Sequence, residues 1–291
     1  MKWKQKIKAF LPPIMIEKIF EMKNIAKFKP YKNLVVKNKQ LEDIHKESRC
    51  FILGSGPSIK NQDLTPLKNE IVFALNNFYV NPDFQTIMSG EKPKYYLTAP
   101  IHPPQSEAEW RSWFENMQLH IPVQTTMLFG LNSNRCNAKH IFEKYNLFTE
   151  YKKYWYFAGR HTNEYYTFNS KDIDLTRMVW SASAVSIYAL LAAIYMGFNK
   201  IYLIGMDHDY FLYNHEKDMR MYESAIHQKN ELHRTFGNSF YVQEFLRQYK
   251  IFKQYELLNQ EFPNRIYNAS AGGVLKIFDE VSLEEVLEET N

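Results

Sequence analysis

At 291 residues and 45% hydrophobic, the chain suffices for one large domain with an appendage, or for two modest ones, and is too apolar to be mostly disordered. Its net charge of +4 is uneven: residues 1–39 carry eleven lysines against Glu17 and Glu21, a local +9 that leaves −5 for the remainder and excludes a uniformly basic nucleic-acid-binding surface. Two cysteines without a CxxC pair exclude a disulfide framework and a zinc ribbon, and with no apolar run of about 18 residues and no secretory signal the expected location is the cytoplasm.

Residues 1–48 form a basic amphipathic segment. Lysines alternate with Trp3, Ile7, Phe10, Leu11, Ile14, Met15, Ile19, Phe20 and Met22, interrupted by Pro12-Pro13. Two uses fit this pattern: peripheral contact with the anionic inner face of the cell membrane, or docking on the chain's own domain or on a second copy. From Cys50 to the end, strand and helix patterns alternate, so residues 49–291 are expected to form a catalytic α/β domain: a Rossmann-like, mostly parallel sheet with helices on both faces. Cys50–Leu53 reads as a buried strand, followed by the turn Gly54-Ser55-Gly56-Pro57-Ser58 and a short helix through Asp63 to Leu67. Glu70–Asn76 and Tyr95–Ala99 read as the next strands. Glu107–Leu119 reads as a helix with Trp110, Trp113, Phe114 and Met117 on one face, and Val123–Leu131 as another strand. The aromatic stretch about 151–175 has no clean period and, with about 208–238, is expected to form a small lid or irregular region. Ser181–Met196, apolar nearly all round, reads as a buried helix ended by Gly197. Lys200–Gly205 follows as a buried strand, Phe240–Gln260 as a long helix and Arg265–Asn268 as a final strand.

A glycine turn after a buried strand can bring backbone N–H groups close to a phosphate, and a following helix adds its positive end. Gly54, Ser55, Gly56 and Ser58 have that context, but the turn is neither a Walker loop nor GxGxxG, and it lacks the GxSxG order of a nucleophile elbow. Side chains at strand ends face the crevice where such sheets bind ligands, which singles out Asn76, Asn77, Thr98 and Asp207. Each amide has the alternative of a turn or cap, and Asp207 that of bracing a loop. His208 and His215 with Asp207, Asp209 and Asp218 nominally form a cation site, yet no HExxH-like pair occurs and no metal or other cofactor is expected. His227 and His233, in the polar stretch before the long helix, are candidate general bases.

The order strand, GSGPS, strand ending in Asn, Ser-rich entry to a buried helix, then GFNKIYLIGMD resembles the bacterial lipooligosaccharide sialyltransferases. It also resembles, in the same grouping, the motility accessory factor glycosyltransferases and the archaeal-type hydroxymethylpterin pyrophosphokinase domain; the ending IYNASAGGVLKIF is closer to these two. The resemblance implies a donor site for a nucleotide-linked sugar, a cytidine monophosphate carrying a nonulosonic acid. Gly54, Ser55, Gly56, Ser58 and Asn76 would stand at that donor, Ser181 or Ser183 at the sugar or cytidine, and Tyr210, Tyr213 and Tyr222 against the phosphate. By the same resemblance His233 is the base for inverting transfer to a glycan acceptor, lipid-linked where the membrane reading holds, with no nucleic-acid partner and the oligomeric state left open. Two other readings stand beside it: a Mg²⁺-dependent pyrophosphate transferase with acids near Asp207 as ligands, and a non-catalytic nucleotide- or glycan-binding scaffold.

Overall fold

The computed structural model describes residues 12–160, 170, 173–209, 221 and 240–289. Among the described residues nine strands, β1 (Arg49–Leu53), β2 (Val72–Leu75), β3 (Lys94–Thr98), β4 (Thr126–Leu131), β5 (Lys153–Arg160), β6 (Met178–Trp180), β7 (Lys200–Ile204), β8 (Ile266–Asn268) and β9 (Asp279–Glu280), form one sheet in the order β6-β5-β4-β3-β2-β1-β7-β8-β9. Every pairing is parallel, beyond the mostly parallel expectation. The helices are α1 (Pro13–Phe28), α2 (Lys32–Val35), α3 (Phe84–Met88), α4 (Glu107–His120), α5 (Ala138–Tyr145), α6 (Val185–Tyr195), α7 (Phe240–Glu261) and α8 (Leu283–Glu288).

A parallel sheet covered on both faces has no solvent side, so its strands are continuous apolar runs rather than alternating ones. In β1, Cys50 and Ile52 enter the core beneath α6 and α7, while Phe51 and Leu53 enter the opposite core beneath α4 and α5. The same explains α6, buried from Ser186 to Tyr195 and stopped by Gly197 at φ +91°: Phe198 N–H donates to Ala193 O, the C-terminal closure that a left-handed residue permits. At the other end of a helix, Ser106 and Glu109 form a reciprocal capping box that starts α4, whose Trp113, Phe114 and Met117 are buried.

The aromatic stretch read as a lid begins instead with an interior strand. β5 lies between β4 and β6, with Tyr154, Tyr156 and Ala158 in one core and Trp155 and Phe157 in the other. The tyrosine hydroxyls find partners, Tyr156 on Thr98 O at 2.8 Å and Tyr154 on Gln40 Oε1 at 3.3 Å, which makes these polar-tipped rings acceptable in a sheet interior. The later part of the basic segment docks on this strand: Phe28 and Tyr31 each lie 5.3 Å from the Phe157 ring, and Asn38 Nδ2 donates to the carbonyls of Trp155 and Leu175. Residues 24–41 therefore take the docking use, whereas the exposed side of α1 is unassigned by these contacts.

At the amino-terminal edge of the sheet the charges are internally matched. Arg49 forms a buried ion pair with Glu70 at 2.7 Å and donates to Val286 O at 2.7 Å. Lys94 donates to the carbonyls of Leu67, Lys68 and Glu70, and burial lowers its ammonium to about 8.

Candidate functional site

The chain builds β1 to β6 outward on one side and then returns to lay β7 against β1 on the other, so the crevice between the carboxyl ends of β1 and β7 is a topological switch point. A cavity of about 240 Å³ opens there. Its floor is formed by Gly54 and Ser55 after β1, Leu75, Asn76 and Asn77 ending β2, Ala99 and Pro100 after β3, and Gly205 to His208 after β7. Ser183 to Ser186 at the entrance of α6, Arg247 and Ile251 of α7, and Trp110 and Trp113 of α4 supply the walls, with His102 and Gln105 from the preceding loop.

The glycine turn is held by the protein itself. Gly54 N–H donates to Ile204 O at 2.8 Å, Gly56 N–H to Gly205 O at 2.9 Å, and Ser58 N–H and Oγ–H donate to the two carboxylate oxygens of Asp207 at 2.8 and 2.5 Å. These donors therefore do not form an open phosphate cradle. The glycines are required by close approach: a Cβ at Gly54 would sit 2.5 Å from Gly205 O, and one at Gly56 2.5 Å from the Asp207 carboxyl carbon. Asp207 is 2% exposed and braces the loop, the alternative open to it from sequence. Burial pushes its carboxyl above the usual range, opposed by the two Ser58 hydrogen bonds and assisted by the nearby Asp209 charge. The expected helix after the turn is replaced by two 3-10 turns, Pro57–Asn61 and Thr65–Asn69. Asp63 Oδ1 accepts both Thr65 N–H and Thr65 Oγ–H, a local alternative that competes with helical bonding.

The next strand ends present amides. Asn76 adopts φ +46°, tolerable for an asparagine; its Oδ1 accepts Ala99 N–H at 3.2 Å, and its carbonyl accepts Tyr96 Oη–H at 2.5 Å, tying the ends of β2 and β3 together at the cavity. Asn77 Oδ1 accepts Trp113 Nε1–H at 2.5 Å, which fixes both the amide and the indole. Ser183 lines the cavity and its N–H donates to Gln254 Oε1 at 3.3 Å. Gly56, Ser58, Thr98 and Ser181 do not line it: Thr98 is fully buried in β3, and Ser181 presents its carbonyl to Gln254 Nε2.

Sequence reasoning had no means of finding several wall residues. His208, expected at a strand end and nominally as a metal ligand, is 7% exposed, and its Nε2 is hydrogen-bonded to Tyr255 Oη at 2.9 Å, which in turn meets Ser186 Oγ at 2.5 Å. Arg247 reaches the cavity while its Nε and Nη2 donate to buried Glu244 at 2.9 and 2.7 Å. Helical spacing did identify Trp110 and Trp113, but as core residues; only the fold turns their edges to the cavity. His227, His233, Tyr210 and Tyr213 lie outside the described residues, as do Tyr222, His215 and Asp218. Within the stretch 210–239 the described residue is Met221, whose N–H donates to Ser55 O at 3.0 Å beside the cavity. Among the described residues no group of three or more His, Cys, Asp or Glu is arranged to hold a metal ion.

No protein-family model matches the chain, and no curated protein matches it. Among solved structures it is similar to the sialyltransferase CstII from Campylobacter jejuni, determined with the substrate analogue cytidine-5'-monophosphate, at 16% identity and a TM-score of 0.44 over 81% of this chain and 86% of that one.

Proposed function

We propose that the chain is a glycosyltransferase that takes a nucleotide-linked sugar into the carboxyl-edge cavity, the donor being a cytidine monophosphate joined to a nonulosonic acid. One observation carries this reading. Four sequence blocks separated by up to about 150 residues, namely the Gly54-Ser55 start of GSGPS, the Asn-Asn end of β2, the serine-rich entrance of α6 and the Gly-Met-Asp after β7, converge on one cavity at the switch point of a parallel sheet. They are the blocks by which the sequence resembles the lipooligosaccharide sialyltransferases.

The lining suits such a donor. Amides of Asn76 and Asn77 and hydroxyls of Ser55, Ser183 and Ser186 can read base and ribose edges without burying charge, and Arg247 brings a guanidinium to which a phosphate would be attracted. In the proposed reaction an acceptor hydroxyl oxygen bonds to the anomeric carbon as the bond from that carbon to the phosphate oxygen breaks, inverting the centre; a histidine takes the hydroxyl proton. His233 and His227 keep that role as proposals from sequence, and His208 joins them from the cavity wall. The pyrophosphate-transfer reading places Mg²⁺ on acids near Asp207; Asp207 itself is disfavoured as a ligand, since both its carboxylate oxygens already accept from Ser58.

The test is a thermal-shift panel of CMP, CDP, UDP, GDP and ATP, each with Mg²⁺ and with EDTA. The expected result is selective stabilisation by CMP that survives EDTA; at a ligand concentration about 100 times Kd it amounts to roughly 2.7 kcal/mol. Stabilisation by ATP that needs Mg²⁺ would replace this proposal with the pyrophosphate-transfer reading, and no shift with any nucleotide would leave the scaffold reading.

A further inference from the structure

One side of α1 is docked, and described side chains on the other are exposed. Asn24 Nδ2 donates to Gly159 O at 2.7 Å and the Phe28 ring packs on Phe157, so that side faces β5. At about 100° per residue, Met15, Ile19 and Met22 fall within a sector roughly opposite to these contacts. They are exposed by 48%, 40% and 71%, and Ile25 beside them by 51%. Such a spacing-matched apolar stripe on a helix is not the scattered exposure normal for single surface residues.

Its position in the fold is specific. Moving back along α1 from Phe28 to Asn24 corresponds to moving forward along β5 from Phe157 to Gly159, so helix and strand run antiparallel. Lys27 Nζ meets Ser133 Oγ, just past the carboxyl end of β4, at 3.4 Å. Continued at about 1.5 Å per residue, the helix carries Met15 about 13 Å beyond Asn24, out past the carboxyl edge of the sheet. That is the edge on which the cavity opens. The surrounding chain has the charge of a cation-rich arm, eleven lysines against two glutamates over residues 1–39.

We infer that this stripe is a lipid-docking face: α1 lies in the interface of an anionic bilayer, Met15, Ile19 and Met22 entering the acyl boundary and the lysines meeting the headgroups, which lays the strands along the membrane surface with the cavity edge beside it. Charge selects the occupant. An apolar stripe alone would suit a second copy of the chain, but a segment of charge +9 repels its own duplicate at close range and is attracted to a negative leaflet by about 1 kcal/mol per lysine. Among the described residues no helix is long and apolar enough to cross a membrane, so the contact is interfacial. The inference holds whatever the cavity binds; if the cavity does bind a sugar donor, its edge lies alongside the bilayer that would carry a lipid-anchored acceptor.

The experiment is co-sedimentation of the full chain with vesicles of phosphatidylcholine containing roughly one part in three phosphatidylglycerol, and with pure phosphatidylcholine vesicles. Binding to the anionic vesicles only, weakened by added salt and reduced about tenfold by Ile19→Glu or Met22→Glu, is expected. Both sites are exposed, so the variants should keep the parent melting temperature and the parent response to nucleotides. The inference is overturned by no binding to anionic vesicles, by binding that neither substitution changes, or by a dimer in sedimentation equilibrium that Met22→Glu dissolves, which would make a second copy the occupant.

Discussion

The two edges of the sheet treat polar groups in opposite ways. At the amino edge Arg49, Glu70 and Lys94 are buried against one another and against carbonyls, leaving a closed set. At the carboxyl edge Asn76, Asn77, Ser183 and His208 are anchored through one part of each residue while lining an open space. The first arrangement serves stability, because a desolvated charge without its partner is costly; the second costs folding free energy unless a ligand completes it. Within the carboxyl edge the glycine turn behaves like the amino edge, since Asp207 and the neighbouring carbonyls close it from inside.

This contrast can be broken in order of effect. Glu70→Ala should cost about 3–5 kcal/mol by stranding the Arg49 guanidinium, and chemical denaturation would register the loss, while CMP affinity of the folded protein stays at the parent value. A change in affinity without a change in stability would show that the edges are coupled or wrongly divided. Gly56→Ala should cost about 1–3 kcal/mol, because its Cβ meets the Asp207 carboxylate and the loop must give way. If that variant melts with the parent and loses nucleotide binding alone, the turn is a ligand cradle after all. Asn77→Ala should cost only about 1 kcal/mol, for one hydrogen bond to Trp113, yet lower CMP affinity about tenfold by titration calorimetry; unchanged affinity would remove this amide from the donor site.

Much of the scaffold was legible in the sequence. β1, β2, β3, β4 and β7 are short apolar runs between turn residues, and α4 and α6 declare themselves, one by apolar spacing, the other by apolarity all round. β5 was not legible, because a strand buried on both faces shows no period of two and its Tyr, Trp and Lys residues look like a polar, irregular segment. The site was legible in part. Gly54, Ser55, Asn76, Asn77, Ser183 and Asp207 were singled out as strand-end or helix-entrance residues and do line the cavity, whereas Thr98, two positions from Pro100 in the same strand-end segment, points elsewhere.

The sequence by itself determined the class of fold and which strand ends carry polar side chains, because apolar run length and glycine punctuation are local properties. Tertiary structure alone decided what those polar groups do. Whether a Ser58 N–H is offered to a ligand or taken by Asp207, 149 positions away, depends on β7 lying beside β1, and no local pattern records that pairing. The same holds for Trp113 on Asn77 and for Tyr255 on His208: periodicity can mark such a side chain as core, but its role at the cavity appears only when the sheet order brings the elements to one edge.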